Sequence, residues 1–115
     1  MEEGEDLWIG TSSGLYIYDR SDDHFLYFDK TTKYGVFISC EVKKIVKTKN
    51  GLIWIATLGQ GIFIYDPAKD VLTQNSIRTF FAWDICQGTD SLVYVSSMQE
   101  GLLCFDEEGT FLQNY

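Results

Sequence analysis

The sequence predicts an all-β fold made of β-propeller blades, each a four-stranded antiparallel sheet, with about three blades forming an incomplete arc. One observation is a sequence motif that recurs three times along the chain. Another is the content of its apolar segments, which are crowded with tryptophan, isoleucine, tyrosine, phenylalanine and valine. In addition, no stretch shows the sustained 3.6-residue period of an amphipathic helix.

Each copy of the motif is a short apolar segment, then a turn, then a glycine that opens a second apolar segment ending in aspartate. The copies are Leu7–Thr11 with Gly14–Asp19, Ile53–Thr57 with Gly61–Asp66, and Val93–Ser97 with Gly101–Asp106. The motif glycines recur every ~40–50 residues, a spacing typical of propeller blades. We assign a structural role to twelve motif positions: Trp8, Gly14, Tyr18, Asp19, Trp54, Gly61, Tyr65, Asp66, Tyr94, Gly101, Phe105 and Asp106.

The middle unit shows the strand order of one blade. Its predicted strands are Val42–Thr48, Leu52–Thr57, Gly61–Tyr65 and an outer strand that begins with Val71–Thr73. Lys49-Asn50-Gly51 predicts a hairpin turn, because Asn-Gly tolerates positive φ at both positions. Leu58-Gly59-Gln60 and Asp66–Asp70, which contains the only proline, predict the other two turns.

The predicted organisation is a partial first blade over residues 5–30, a second blade over 40–75 and a third over 80–115. The first unit begins at its second strand, with no counterpart of Val42–Thr48 before Leu7. A closed propeller uses about four to eight blades, so this is either a piece of a larger propeller or an arc that assembles with copies of itself. The third strand of each unit is apolar at successive positions, which predicts that both of its faces are covered.

Composition excludes several classes of function. The formal net charge of −8 disfavours nucleic acid, whose binding needs a cationic surface. No apolar run approaches the ~20 residues of a membrane span, so we expect no membrane contact by this segment. The three cysteines, Cys40, Cys86 and Cys104, have no CxxC spacing and predict neither a zinc site nor a disulfide framework.

The sequence predicts no catalytic residues, no metal and no cofactor. His24 is the only histidine, and it follows Asp19, Asp22 and Asp23 in a stretch without the residue order of a calcium loop. We interpret that stretch as turn chemistry. The acidic residues single out no pair for glycoside cleavage, and the chain has neither a P-loop nor a dinucleotide fingerprint.

The candidate ligand-binding residues lie in loops that open on one face of the predicted propeller. Trp83 and its neighbours Phe80 and Phe81 form one aromatic group, and Tyr34 and Phe37 occupy the equivalent loop one unit earlier. Aromatic rings at a rim can stack on a sugar, although packing between blades is the alternative role. Polar candidates occupy the turns between second and third strands: Gln60, Gln99 and Glu100.

The motif resembles the two-component regulator propeller repeat. Residues Asp6–Asp19 and Gly51–Asp66 match it well, and Ser91–Asp106 matches loosely, with Tyr94 where tryptophan is expected. Such repeats are typical of the extracytoplasmic sensor region of hybrid two-component histidine kinases, where they form two seven-bladed propellers ahead of a membrane helix and kinase domains. The resemblance implies a periplasmic, non-catalytic segment of a sensor that responds to an oligosaccharide.

Two alternatives stay open at this point. One is a protein-interaction or self-assembling propeller scaffold, which the uncovered ends of an arc and the acidic composition favour. The other is a propeller lyase or hydrolase, for which no acid, base or metal constellation emerges. The acidic N-terminus, Met1-Glu2-Glu3, is unlike a secretory signal, so a cytoplasmic location is the alternative to the periplasm.

Overall fold

The computed structural model describes residues 1–77, 79 and 81–115 and confirms the predicted fold class: three four-stranded antiparallel sheets. Sheet 1 contains β1 Glu2–Glu3, β2 Asp6–Thr11, β3 Gly14–Asp19 and β4 His24–Tyr27. Sheet 2 contains β5 Glu41–Lys47, β6 Ile53–Leu58, β7 Ile62–Asp66 and β8 Val71–Gln74. Sheet 3 contains β9 Ala82–Gln87, β10 Val93–Ser97, β11 Gly101–Phe105 and β12 Phe111–Asn114. Each strand pairs with the strand next to it in sequence.

The sheets stack face to face in chain order, and the molecule measures 44 × 27 × 23 Å. Strand β5 of sheet 2 contacts both β2 of sheet 1 and β9 of sheet 3. The stack therefore converges at the first and second strands of the sheets, as the blades of a propeller converge on its axis. This arrangement is an arc of about three propeller blades.

Sheet 1 has a first strand that the sequence analysis did not expect. Glu2 pairs with Leu7 and Glu3 with Asp6, which places β1 beside β2. Met1 extends this pairing, since its carbonyl accepts from the Trp8 N–H at 2.7 Å and its amino group donates to the Trp8 carbonyl at 2.9 Å. The strand was missed because two acidic residues carry no apolar pattern, and the backbone of β2 alone provides its pairing.

The turn between β5 and β6 differs in one respect from its prediction. Gly51 has a φ of 90°, whereas the φ of Asn50 is not positive. Asn50 contributes through its side chain instead, whose Oδ1 accepts from the Thr48 hydroxyl at 2.6 Å. A turn with one left-handed residue therefore replaces the predicted turn with two.

Two apolar layers form the core, one on each side of sheet 2. Between sheets 1 and 2, Trp8 lies 5.3 Å from Phe28 and 5.8 Å from Tyr65, measured between ring centres. Between sheets 2 and 3, Trp54 lies 5.5 Å from Phe105. Both tryptophans belong to the sequence motif, and each therefore packs one sheet against the next.

The prediction that all third strands are covered on both faces holds fully only in sheet 2. Residues 53–57 of β6 and 62–65 of β7 are buried without alternation. In sheet 3, residues 103–105 of the third strand, β11, are buried but Gly101 and Leu102 are exposed, and residues 16–19 of β3 are only half buried. The outer sheets each have one neighbour, so each of them leaves one face to solvent.

Candidate functional site

Three turns and two long connections meet at one end of the stack, which we call the loop face. The turns join β2 to β3, β6 to β7 and β10 to β11, and the connections join β4 to β5 and β8 to β9. Hydrogen bonds hold these segments in place. The hydroxyl of Tyr27, the last residue of β4, donates to the Ile38 carbonyl in the β4–β5 connection at 2.6 Å. The Met98 N–H in the β10–β11 turn donates to the Phe81 carbonyl before β9 at 3.1 Å. The loop face is therefore a hydrogen-bonded surface.

Gln60 ties the β6–β7 turn to the connection that precedes β5. Its side-chain oxygen accepts from the backbone N–H groups of Ser39 at 2.8 Å and Cys40 at 3.2 Å. Its side-chain nitrogen donates to the Phe37 carbonyl at 2.9 Å. The sequence-predicted residues Gln60 and Phe37 are thus brought together, but the Gln60 amide is committed to holding the loop.

The turn between β10 and β11 is organised around a buried hydroxyl pair. Thr79 and Ser97 share a hydrogen bond of 2.6 Å, and the Ser97 oxygen also accepts from the backbone N–H groups of Gln99 at 3.3 Å and Glu100 at 3.2 Å. Gln99 is exposed and Glu100 is half-buried, so both remain at the loop face. Phe81 is partly exposed beside them and forms an isolated bridge to Leu58.

Tyr34 lies apart from the other candidates, at a cavity of about 440 Å³ along the outer edge of sheet 2. Its ring is 81% exposed, and the Lys33 amino group lies 5.1 Å from the ring centre. The remaining lining residues are Thr32 and the run 71–76 from β8 and the residues after it. The cavity therefore combines an accessible aromatic ring with a cation, hydroxyl groups and amide side chains.

Trp83 lies on the first strand of sheet 3, at a β-bulge. The pairing register between β9 and β10 shifts between Ser96 and Ser97, which leaves Trp83 as the extra residue. The same shift between Val42 and Lys44 in sheet 2 leaves Lys43 as the extra residue of β5. Bulges redirect side chains, and here they bring the Lys43 amino group to 4.6 Å from the centre of the Trp83 ring.

Sequence reasoning missed Lys43 because a bulge leaves no sign in an apolar pattern. It also grouped Trp83 with Phe81 and Tyr34 with Phe37, and these groupings stay predictions. Trp83 belongs to the converging first strands, and Tyr34 belongs to the outer edge of sheet 2. Phe80, the third aromatic residue of the predicted group, lies outside the described residues.

At the opposite end of the stack, tyrosine hydroxyls bond to aspartates of the turns. Tyr65 donates to Asp70 at 2.5 Å, and burial together with this bond raises the pKa of Tyr65 to about 12. The Tyr65 hydroxyl and the Lys30 amino group lower the pKa of the Asp70 carboxyl. Tyr94 donates to Asp90 at 3.1 Å, and the carboxylate raises the pKa of Tyr94 to about 12. These bonds stabilise turns.

The acidic stretch before His24 is a turn of the same kind. The Asp19 carboxylate accepts from the Ser21 hydroxyl at 2.7 Å and the Ser21 N–H at 3.0 Å, and these bonds lower the pKa of Asp19. His24 contacts the Asp22 carbonyl through Nδ1 at 3.1 Å. Across residues 1–77, 79 and 81–115, no three histidine, cysteine or acidic side chains gather in a way that could hold a metal ion.

The stacked sheets and their loop face define a propeller segment, and solved structures show the same fold. The chain is similar to the extracellular domain of BT3049 from B. thetaiotaomicron, a protein assigned to a hybrid two component system, with a TM-score of 0.77 and 19% identity. It is equally similar to the extracellular domain of BT4673 from the same organism, described as a one component or a hybrid two component system, with a TM-score of 0.77 and 20% identity.

The matches cover 96% and 97% of this chain but only 16% of each of those chains. The chain thus spans about one sixth of the length of the extracellular domains it resembles. It matches no protein-family model. It also matches no curated protein. The likeness to the propeller repeat therefore rests on the motif residues and the fold. The part of the chain that the structure describes forms no helix with the length and apolar character needed to cross a membrane.

Proposed function

We propose that the chain is a non-catalytic, ligand-sensing propeller segment of a bacterial hybrid two-component sensor, located in the periplasm. The motif and the similarity to extracellular domains of such systems support this role. In this role the segment binds on the outside of the membrane, and binding is transmitted to the rest of the sensor by a change in packing or dimer geometry.

The ligand that the structure supports best is an oligosaccharide, and the observation that carries this proposal is the cavity beside Tyr34. Its volume of about 440 Å³ lies within the range of small-molecule sites, about 300–1,000 Å³. The exposed ring of Tyr34 offers an apolar face to a sugar ring. Lys33 supplies an ammonium group and the exposed Ser76 a hydroxyl group that can hydrogen-bond to sugar hydroxyls. The Gln74 side-chain oxygen adds an acceptor, while its nitrogen donates to the Gln60 carbonyl at 2.8 Å.

The remaining loop-face candidates form a second, shallower surface for the same ligand class. Phe37 and Phe81 are partly exposed, and Gln99 and Glu100 lie at the neighbouring turn. Trp83 is also partly exposed, but Lys43 lies against its ring. We assign Gln60 to loop positioning instead, because a ligand would have to displace its bonds to Phe37, Ser39 and Cys40.

The chemistry of the cavity fits binding without turnover. Cleavage of a glycosidic bond uses two carboxyl groups about 5–9.5 Å apart across the bond. The described lining residues of the cavity include no aspartate or glutamate. We therefore expect the ligand to leave unchanged, and incubation of the chain with glycans followed by chromatography tests this. Appearance of shorter products would contradict the proposal.

The binding experiment titrates the chain with a panel of defined oligosaccharides, followed by calorimetry and by NMR shifts. We expect Tyr34→Ala to reduce affinity about tenfold, because the stacking surface is lost. Tyr115→Ala is the matched control, since it removes an exposed tyrosine that does not line the cavity and that has no part in the proposed binding surfaces. Equal binding by wild type and Tyr34→Ala would exclude the cavity as the site.

The role in a sensor has a separate test that needs no ligand. The gene that encodes this sequence can be read through to its ends. A membrane helix and a kinase region in the same reading frame support the proposal. Their absence would contradict the sensor role while leaving the binding experiment valid.

A further inference from the structure

The outer face of sheet 1, the face turned away from sheet 2, is apolar and largely aromatic. We call it the sheet 1 outer face, and its residues are Leu7, Ile9, Tyr16, Tyr18, Phe25 and Tyr27. Phe25 is 68% exposed and Tyr27 is 36% exposed. Their rings pair with those of neighbouring tyrosines, at 4.9 Å for Tyr18 with Phe25 and 5.2 Å for Tyr16 with Tyr27. An exposed apolar face of this extent usually marks a contact surface.

The same face is buried in the other two sheets. The motif aligns Leu7, Ile9, Tyr16, Tyr18 and Phe25 with Ile53, Ile55, Phe63, Tyr65 and Leu72 of sheet 2. Those five residues of sheet 2 pack under sheet 1 in one core layer. The equivalents in sheet 3 include Val93, Val95, Leu103 and Phe105, which pack under sheet 2. Each sheet thus uses this face to receive its neighbour.

The sheet 1 outer face already has the tyrosine–aspartate hydrogen bond that the equivalent, buried face of sheet 2 has. Tyr18 donates to Asp23 at 2.5 Å, as Tyr65 donates to Asp70 at 2.5 Å. Asp23 and Asp70 both have positive φ, at 55° and 54°. In sheet 2 the tyrosine held in this way packs against the Trp8 indole of the sheet above. Tyr18 is therefore held in place to receive a similar side chain.

The covering face is present at the other end of the same chain. Trp8 and Trp54, which cover sheets 2 and 3, correspond to Tyr94 on the outer face of sheet 3. Gly10 meets β5 so closely that an added Cβ would lie 2.7 Å from the Val42 carbonyl oxygen, and small residues occupy its equivalents, Ala56 and Ser96. Leu102, at the position of Leu15, completes an apolar centre on this face.

We propose that a second copy of this 115-residue chain covers the sheet 1 outer face with its own sheet 3 outer face, an assembly independent of the proposed sensor role, in which neighbouring repeats of a longer chain would take the same places. The contact is head to tail, since two different surfaces meet. Two copies joined at both ends make two identical contacts and place six sheets around one axis, a count within the range of closed propellers, about four to eight. Strand β1 then serves as the innermost strand of sheet 1, a position the sequence analysis expected to be empty.

The net charge of the chain opposes this assembly and predicts how association depends on salt concentration. Each copy carries a net charge of −8, so two copies repel each other over a distance set by the ionic strength. The centre of the contact is made by aromatic and aliphatic side chains, which salt does not weaken, and Asp84 on the sheet 3 outer face adds to the repulsion. Association should therefore become stronger as salt is added, whereas an association based on ion pairs would become weaker.

The test is the solution mass, measured by light scattering over a concentration series at low and high salt. Wild type should reach twice the mass of one chain and no more. Phe25→Glu places a charge on the sheet 1 outer face, and Leu102→Glu places one on the sheet 3 outer face; Leu102 is 39% exposed. Each variant alone should be monomeric. Their mixture should again form a dimer, because one undamaged contact remains between the two variants.

Tyr34→Glu is the control, since it charges an exposed aromatic residue away from both faces and should leave the dimer unchanged. Circular dichroism of all variants checks that they fold. A wild-type monomer at every concentration overturns the proposal and means that sheets of another chain, or of a longer form of this one, cover the face. A dimer that Leu102→Glu leaves intact also overturns it, because sheet 1 then meets sheet 1.

Discussion

Lys43 and Trp83 occupy equivalent bulged positions on the first strands of neighbouring sheets, and the Lys43 amino group lies 4.6 Å from the centre of the Trp83 ring. Beside them Lys44 lies 3.6 Å from the Asp84 carboxylate. Two repeated irregularities thus create one contact between sheets. The contact orients both side chains where the sheets converge.

The contact should be measurable as a coupling energy. A double-mutant cycle with Lys43→Met and Trp83→Leu should give about 0.5–1 kcal/mol, the value for cation–π pairs at exposed sites. Tryptophan fluorescence of Lys43→Met should also shift, since a charge leaves the indole. The control cycle uses Lys33→Met and Tyr34→Leu, whose ring lies 5.1 Å from the amino group at a more exposed site, and should give less. A coupling of zero at Trp83 would show that the contact contributes nothing.

The two tyrosine–aspartate pairs should differ in their contribution to stability. Tyr65→Phe removes a bond to a carboxylate from a buried tyrosine and should lower the free energy of unfolding by about 1–2 kcal/mol. Tyr18→Phe removes a bond of the same length at the uncovered face, where water can replace it, and should lower the free energy of unfolding by less than Tyr65→Phe does. Urea unfolding of both variants measures the difference. Equal losses would mean that burial adds nothing to this bond.

The same pair predicts a loss of stability at high pH. The pKa of Tyr65 is raised to about 12 in the folded chain, above the ordinary value of 10.0. Its contribution is therefore complete below pH 10 and is lost as the pH rises through about 12. Alkaline unfolding followed by circular dichroism should occur in this window, and Tyr65→Phe should flatten the dependence there. An unchanged profile in Tyr65→Phe would assign the alkaline transition to other groups.

The lowered pKa of Asp70 predicts that the folded chain loses stability at acidic pH. Hydrogen bonds from Tyr65 and Lys30 lower its pKa, so its contribution is present above the ordinary aspartate value and is lost as the pH falls through the lowered one. Asp70→Asn should therefore narrow the stability difference between neutral and acidic pH. Asp66→Asn is the comparison, since it tests the carboxylate that accepts from the Ala68 N–H at 3.0 Å in the same turn. An equal effect of both substitutions would contradict the assignment to Asp70.

Gly61 and Gly51 form a matched pair for testing how closely the backbone near Thr79 packs against the β6–β7 turn. Both have positive φ, at 75° and 90°, so alanine is strained at each position, at a cost of about 1–2 kcal/mol. A Cβ at Gly61 would clash with the Thr79 carbonyl oxygen, whereas one at Gly51 meets nothing within 4 Å. Gly61→Ala should therefore destabilise clearly more than Gly51→Ala in urea unfolding. Similar losses would show that the loop before β9 yields easily.

Trp54 should dominate the contact between sheets 2 and 3. It is fully buried against Phe105, and Trp54→Ala should cost about 3–5 kcal/mol. Its indole nitrogen is buried without an acceptor in the part of the chain that the structure describes. Trp54→Phe should therefore cost much less, because it removes no hydrogen bond. A loss as large as that of alanine would point to an acceptor for the indole, such as a bound water.

The sequence predicted the strands well because their determinants are local. In sheet 2, continuous apolar runs, β-branched residues and the Asn50-Gly51 turn placed each strand within about one residue of its observed bounds. Strand β1 escaped prediction because its pairing depends on the backbone of β2 rather than on its own side chains. The exposure of Phe25 could not be predicted from the sequence either, since the equivalent apolar residue of sheet 2, Leu72, is buried.

The candidate site was predictable only in part. The aromatic residues at the loops are visible in the sequence, but their surroundings depend on the pairing register. The bulge at Trp83 is a shift of one residue in pairing, and the connection between β4 and β5 places Tyr34 at the edge of sheet 2. The role of Gln60 follows from contacts with a loop about twenty residues earlier, which no local pattern encodes.

Every sheet is made of four consecutive strands, and this has a consequence for the chain as it is synthesised. Each strand pairs with the strand synthesised just before or just after it, so pairing needs only the residues of the adjacent hairpin. Sheet 1 can pair completely once residue 27 has emerged, and sheet 2 once residue 74 has emerged. The nascent chain can therefore fold in the order of translation, each new sheet closing over an apolar surface that its predecessor has held ready.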